Sequence, residues 1–92
     1  MSKLEELLKE TDEVWFQIGG GKYDRRRFLF WAKKQGLKWW PTKREIKKTD
    51  DCFFHMVVSK DKTIANIPAM CAVLSKNKPK YVLDFKKFLK EN

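Results

Sequence analysis

Three consecutive glycines at positions 19–21 precede Lys22 and the arginines at 25–27, and this order of residues could bind a phosphate group. A glycine turn that leads into a helix exposes unpaired backbone N–H groups, which favour an anion by about 0.3–1 kcal/mol. The sequence is neither a nucleotide-hydrolysing P-loop nor a G-x-G-x-x-G loop, because Tyr23 and Asp24 break both patterns. Asp24 would compete for the same amides as a helix cap. The turn is therefore either an anion site or a capped helix start.

Aromatic rings are interleaved with the basic residues that follow. Phe30 has Arg26, Arg27, Lys33 and Lys34 as its helical neighbours three and four residues away, on the side opposite the apolar face. Such a ring could stack on a nucleobase while the cations bind phosphates. It could equally be covered by the N-terminal helix, with the stems of the cations along the ring. Both interpretations are open at this level.

Trp39 and Trp40 pose the same choice. Adjacent residues of a strand point to opposite faces, so both rings cannot enter one core, and we expect one of them to be buried. The other lies in sequence near Lys43, Arg44 and Lys47, where it could stack on a planar anion or pack half-buried against a terminal helix.

The net charge of +9 is unevenly distributed. Residues 22–48 hold eleven Lys and Arg against Asp24 and Glu45, whereas residues 1–21 are acidic on balance. Clustered charges add within about 10 Å, so this segregation favours an anionic partner over a generally lysine-rich surface. The candidate ligand-binding residues are Lys22, Arg25, Arg26, Arg27, Phe30, Lys33, Lys34, Trp39, Trp40, Lys43, Arg44 and Lys47.

Catalytic patterns are weak. The single histidine, His55, lies in an apolar run, and Asp50 with Asp51 indicates a turn better than an acid–base pair. Cys52, Cys71 and His55 offer three soft ligands, where structural zinc needs four. We therefore expect a protein that is not an enzyme, with no cofactor and no catalytic or metal-binding residues.

Length and composition set the class of protein. With 92 residues, 42% hydrophobic and 14% aromatic, the chain suits one small globular domain spanning residues 1–92. No apolar run approaches the roughly 20 residues that span a bilayer, and the N-terminus lacks a signal-peptide core. These features predict a cytoplasmic protein without membrane contact, whose cysteines are reduced.

Periodicity predicts the elements. Leucines at 4, 7 and 8 indicate a helix over 2–11, and the alternation of Val14, Phe16 and Ile18 indicates a strand. A second helix is expected from a cap at Asp24 to about residue 35, where Gly36 would end it. A short strand follows in "LKWWPTKREI", broken or confined to a sheet edge by the proline.

The C-terminal half predicts a hairpin and a helix. "CFFHMVVS" and "TIANIPAMCAVL" are β-rich runs joined by "KDK", and the apolar stripe of Val82, Phe85, Phe88 and Leu89 predicts a last helix after Pro79. The order α-β-α-β-β-β-α predicts an α+β fold with a small, mostly antiparallel sheet of about four strands and helices packed on it.

A tight turn centred on residues 61 and 62 would give opposed hairpin residues whose numbers sum to 123. Val57 would then face Asn66, and Cys52 would face Cys71, close enough for the thiols to be oxidised together. A slip of one residue would put the two cysteines on opposite faces.

"WFQI", "FLFWAKKQGLKWW" and "FFHMVVSKDKTIANI" together resemble small uncharacterised phage-encoded proteins of Gram-positive bacteria, over about residues 13–70. The resemblance implies a phage or mobile-element setting, in which such short proteins often antagonise host defence. Some are similar in size to inhibitors that cap a nuclease complex, and others to sponges that sequester cyclic nucleotide signals. The resemblance carries over no site residues.

Two functions are consistent with these features. The first is a non-enzymatic binder of a nucleotide-type anion, either nucleic acid or a nucleotide immune signal, through residues 22–48. The alternative is a protein–protein inhibitor of a host defence complex that docks its basic face on an acidic surface.

Overall fold

The computed structural model describes residues 3–19, 21–68, 70 and 79–91, and a five-stranded sheet with three helices accounts for most of them. No helix in these ranges is both long and apolar enough to cross a bilayer. The elements, in chain order, are α1 (Lys3–Glu10), β1 (Glu13–Gln17), α2 (Lys22–Lys34), β2 (Lys38–Trp39), β3 (His55–Ser59), β4 (Thr63–Ile67), β5 (Val82–Asp84) and α3 (Phe85–Glu91).

The sheet is mixed, with the strand order β2-β4-β3-β1-β5. Strand β3 pairs antiparallel with β1 and β4, whereas the outer pairs β1–β5 and β2–β4 are parallel. The α+β class is confirmed, and the predicted four-stranded, mostly antiparallel sheet is corrected to five strands of mixed direction. Parallel neighbours are joined by long crossovers, which local hydrophobic patterns do not reveal.

Strand β1 lies between β3 and β5 and presents its apolar residues to the helices. Val14, Phe16 and, just beyond the strand, Ile18 are buried, while Trp15 is partly buried and Gln17 is exposed. The predicted alternation is confirmed. The first helix is confirmed as well, since α1 occupies residues within the predicted range and buries leucines at 4 and 8.

Phe16 is the centre of an aromatic cluster that joins the sheet to two helices. Its ring centroid lies 5.1–6.1 Å from those of Phe28 and Trp31 in α2 and of Phe85 and Phe88 in α3. The rings meet edge to face or tilted, the arrangement their quadrupoles favour. The cluster packs both α2 and α3 against β1, so it also fixes which face of α2 remains in solvent.

The last helix starts later than its apolar stripe predicted. Val82 belongs to β5, which pairs with β1, and α3 starts at Phe85. The Asp84 carboxylate accepts hydrogen bonds from the backbone N–H groups of Lys86 (2.9 Å) and Lys87 (3.3 Å). Asp84 thus caps α3, and this cap rather than the apolar spacing sets where the helix begins.

The hairpin register differs by one residue from the predicted one. Val58 faces Ile64 and His55 faces Ile67, so opposed residue numbers sum to 122. The loop comprises three residues rather than two, because Lys62 adopts a left-handed conformation (φ 69°) and its N–H bonds to the carbonyl of Ser59 at 3.0 Å. The predicted register that placed Cys52 opposite Cys71 is wrong.

The first part of the predicted β-rich run at residues 63–74 forms strand β4. Strand β4 ends at Ile67, before Pro68. Most of the rest of the predicted run, at residues 69 and 71–74, lies outside the described residues. Cys71 lies outside the described residues.

Candidate anion-binding groove

A groove of about 390 Å³ runs between the outer side of α2 and the segment that follows β2. Helix α2 contributes one wall and residues 46–50 contribute the other. The groove brings together four residues of the predicted site, one of them aromatic and three cationic. Its lining comprises Arg26, Leu29, Phe30, Lys33, Ile46, Lys47, Lys48 and Asp50.

The packing of α2 against the core places Phe30 in this groove. Phe28, Trp31 and Ala32 are buried, as their spacing predicted, and Leu29 is buried beside them. Phe30 points the other way and is 63% exposed. Of the two open interpretations, coverage by the N-terminal helix is wrong, because the leucines of α1 pack in the core instead. The ring is available to a ligand.

Lys34 lies beside this ring. Its Nζ is 4.7 Å from the centroid of Phe30, within the range in which a cation is attracted to an aromatic face. Lys34 does not line the groove, whereas Arg26 and Lys33 do. Within the groove, Phe30 therefore lies beside Arg26 and Lys33 rather than beside Lys34.

Asp50 holds the second wall in place. Its Oδ2 accepts hydrogen bonds from the Trp39 indole N–H (2.9 Å), from Arg44 (3.1 Å) and from the backbone N–H of Lys47 (2.8 Å). Burial opposes ionisation of this carboxyl, but the bonds from Lys47, Trp39 and Arg44 outweigh it, and the pKa of Asp50 is lowered. Its negative charge is thus compensated within the protein.

The two adjacent tryptophans have different environments. Trp39 is partly buried and packs against the core, with the Arg44 guanidinium 5.9 Å from its ring, while Trp40 is 60% exposed. Strand β2 lies at the edge of the sheet and ends before the cis Trp40–Pro41 bond, as predicted for a strand followed by Pro41. Neither tryptophan is fully buried, which corrects the expectation of one core ring.

Arg25 points away from the groove. Its Nε donates a 2.8 Å hydrogen bond to Asp51, and its carbonyl accepts a weak one from the Cys52 thiol at 3.8 Å. The bond from Arg25, followed by one from the Cys52 N–H, lowers the pKa of the Asp51 carboxyl. Asp50 and Asp51 thus have separate partners.

The glycine turn is occupied by the protein's own carboxylate. Helix α2 begins at Lys22 after Gly21 and has no side-chain cap, so the prediction that Asp24 caps it is wrong. Asp24 lies in the first turn, close enough to Gly19 that a Cβ there would come within 2.8 Å of its Oδ2, and it pairs with Lys86 at 3.3 Å. This negative charge disfavours a phosphate at the turn. The predicted helix end is confirmed, since Gly36 follows with φ 78°.

The remaining predicted residues do not line the groove. Lys22, Arg27 and Lys43 are exposed, and Lys43 stands in a left-handed turn (φ 61°) between Trp39 and Arg44. Four lining residues were absent from the predicted set: Leu29, Ile46, Lys48 and Asp50. Of these, Lys48 could have been included from the charge run alone.

A second groove, of about 300 Å³, lies near the sheet end, where Phe54, His55 and Cys52 meet Arg25. Burial raises the pKa of the Cys52 thiol to about 12, so it is protonated at neutral pH. His55 Nδ1 is buried without a hydrogen-bond partner among the residues described. Within the described ranges, no three His, Cys, Asp or Glu side chains are grouped to hold a metal.

Comparison of the chain with protein-family models, with curated proteins and with solved structures found no match. A functional interpretation therefore rests on the residues and geometry of the groove.

Proposed function

We propose that this protein binds a nucleotide-type anion in the groove between α2 and residues 46–50, without catalysing a reaction on it. The observation that supports this most directly is Phe30, an exposed ring that lines the groove together with Arg26, Lys33 and Lys47. A ring supplies a stacking surface for a base, and the flanking cations supply partners for phosphate oxygens.

The arrangement of acidic residues supports the same proposal. The acidic residue that lines this groove, Asp50, is bonded to Arg44, Trp39 and the backbone of Lys47. The lining cations therefore face the ligand with little competition from it. The setting we propose is the cytoplasm of a phage-infected host, where the bound anion is either nucleic acid or a nucleotide immune signal.

Replacement of Phe30 by Ala tests this function. We expect the variant to lose affinity for whichever of three probes the wild type binds, namely AMP, a cyclic dinucleotide and an eight-residue oligo-dT. The melting temperature should change little, because the ring is exposed. Phe54→Ala is the matched control, since it removes a 45% exposed ring from the second groove. Failure of the wild type to bind any probe, or a large loss of stability in Phe30→Ala, would contradict the proposal.

A second candidate function is inhibition of a host defence complex. The basic face of this protein would dock on an acidic surface of that complex. The observation that favours this candidate is Trp40, which is 60% exposed and does not line the groove, since tryptophan is enriched among the residues that dominate protein–protein interfaces. Native mass spectrometry of the protein purified from infected cells separates the two. A retained nucleotide supports the groove, and a stoichiometric acidic protein in its place supports the inhibitor.

A further inference from the structure

Two exposed rings lie in line on the solvent side of α2. Tyr23 is 74% exposed and Phe30 is 63% exposed. They are seven residues apart, which places them within about 20° of each other around the helix and about 10 Å apart along it. Tyr23 does not line the groove. The stacking surface around Phe30 thus has a second member beyond the groove.

Cations border this line of rings on both sides. Helical geometry places Arg26 and Lys33 on one side of Phe30 and Arg27 and Lys34 on the other. The groove lining agrees with this division, because it includes Arg26 and Lys33 and does not include Lys34, whose Nζ lies 4.7 Å from the ring centroid. Two rows of positive charge therefore run parallel to the rings for two helical turns.

We infer that the ligand is a single-stranded nucleic acid that lies along α2, with one base on Phe30 and another base on Tyr23. This inference rests on the proposed function and specifies its ligand. Stacked nucleotides advance by about 3.4 Å each, so one nucleotide cannot cover two rings about 10 Å apart. A strand of about four nucleotides does so, and its phosphates follow the two cationic rows.

The rings also select the strandedness of the ligand. In a duplex the faces of the bases are stacked on one another and are closed to aromatic side chains, whereas a single strand presents them. Charge alone would not distinguish the two forms, because Lys and Arg contact phosphates in either. The single strand is DNA or RNA, since both present the same phosphates and base faces.

A length series tests the inference. Unlabelled oligo-dT and oligo-U of one to eight nucleotides compete against fluorescein-labelled dT8 bound to the wild type, to Phe30→Ala and to Tyr23→Ala. We expect affinity to rise steeply up to about four nucleotides. Phe30→Ala should weaken binding at all lengths, while Tyr23→Ala should weaken only strands of about four or more, by about 5- to 150-fold, as expected for one stacked base. A preference for either sugar supports the inference and identifies the natural strand.

Control variants distinguish the effect of losing the Tyr23 ring from the effects of unfolding and of losing the hydroxyl group. Tyr23→Phe keeps the ring and should bind as the wild type does, and Phe54→Ala should leave the length series unchanged. Thermal melts of all variants should coincide, because these side chains are exposed. A destabilised Tyr23→Ala would be replaced by Tyr23→Ser in the same assay, with the same expectation.

Three results would overturn the inference. If a mononucleotide binds as tightly as dT8 and Tyr23→Ala has no effect, the proposed function stands and the strand along α2 does not. If a duplex of the same length binds more tightly than the single strand, the rings are not the stacking surface. If no nucleotide of any length binds, the proposed function itself fails, and docking on an acidic protein takes its place.

Discussion

Arg25 and Arg26 are adjacent in the sequence and have different roles in the structure. Arg25 is bound to Asp51 on one side of α2, whereas Arg26 lines the groove on the other. Helical geometry separates neighbouring side chains by 100°, so a run of arginines cannot act as a single unit. Of the three arginines, those at 26 and 27 face the proposed ligand.

A pair of variants distinguishes these roles. We expect Arg26→Gln to reduce the slope of log affinity against log salt by about 0.7–0.9 for a nucleic acid ligand, because one phosphate contact is lost. Arg25→Gln should leave that slope unchanged and reduce the free energy of unfolding only slightly, since its ion pair with Asp51 is at the surface and is screened by solvent. Fluorescence anisotropy at several salt concentrations measures the slopes. An equal change in both variants would contradict the division.

The Cys52 thiol is buried beside the ion pair of Arg25 and Asp51. Its alkylation should therefore be slow. Its raised pKa, about 12, leaves little of the nucleophilic thiolate at neutral pH. We expect iodoacetamide to modify Cys52 slowly in the folded protein and rapidly in guanidinium chloride. Peptide mapping follows Cys52 separately from Cys71. Rapid modification under native conditions would show that the thiol is accessible.

At the scale of elements, the segment between β2 and β3 has little regular structure, and the Asp50 carboxylate is one of the groups that hold it in place. Asp50 links Trp39 of β2, Arg44 and the backbone of Lys47. Ile46 of the same segment is buried in the core, so this burial and the bonds to Asp50 together fix the second wall of the groove. The groove therefore depends on a residue that does not itself attract an anionic ligand.

Asp50→Asn tests this dependence. We expect a loss of about 1–3 kcal/mol in the free energy of unfolding, since an amide cannot satisfy all these donors, and weaker binding in the groove. The Trp39 indole N–H resonance should shift in NMR spectra. Asp51→Asn is the control, because it removes the neighbouring, more exposed carboxylate. Equal destabilisation by both variants would argue against a special role for Asp50.

Ionisation of the Asp50 carboxyl also predicts how the stability of the fold depends on pH. Because the pKa of Asp50 is lower in the folded protein, its ionisation stabilises the fold above the ordinary aspartate value of about 3.9. That contribution is lost as the pH falls through the folded pKa. We expect the Asp50→Asn variant to show a flatter decline of stability below pH 4 than the wild type, as measured by urea unfolding. Parallel declines in the two proteins would exclude this role.

For the whole molecule, Phe16 connects the sheet to α2 and α3. Phe16→Ala removes a fully buried ring that contacts four others, and we expect it to cost about 3–5 kcal/mol in the free energy of unfolding. That loss is a large fraction of the stability of a domain of this size. Chemical denaturation measures it, with the exposed Phe30→Ala as the reference. A cost near 1 kcal/mol would mean that the core repacks around the vacancy.

The sequence alone determined the features that depend on neighbouring residues. Periodicity identified the helices and the alternation of β1, because a side chain's face follows from its position along its own element. The helical neighbours of Phe30 were likewise evident, since three- and four-residue spacings are local. The segregation of charge into residues 22–48 needed no structure at all.

Only the tertiary structure decided what depends on contacts between distant segments. Val82 was predicted in the last helix but lies in β5, because β5 pairs in parallel with β1. The hairpin register differs from the predicted one because the loop has one extra residue. Whether Phe30 is exposed depended on where α1 packs, and the second groove wall depended on Asp50 reaching Trp39 and Arg44. These outcomes depend on chain closure and on packing between distant segments. The order of residues within one segment does not predict such contacts.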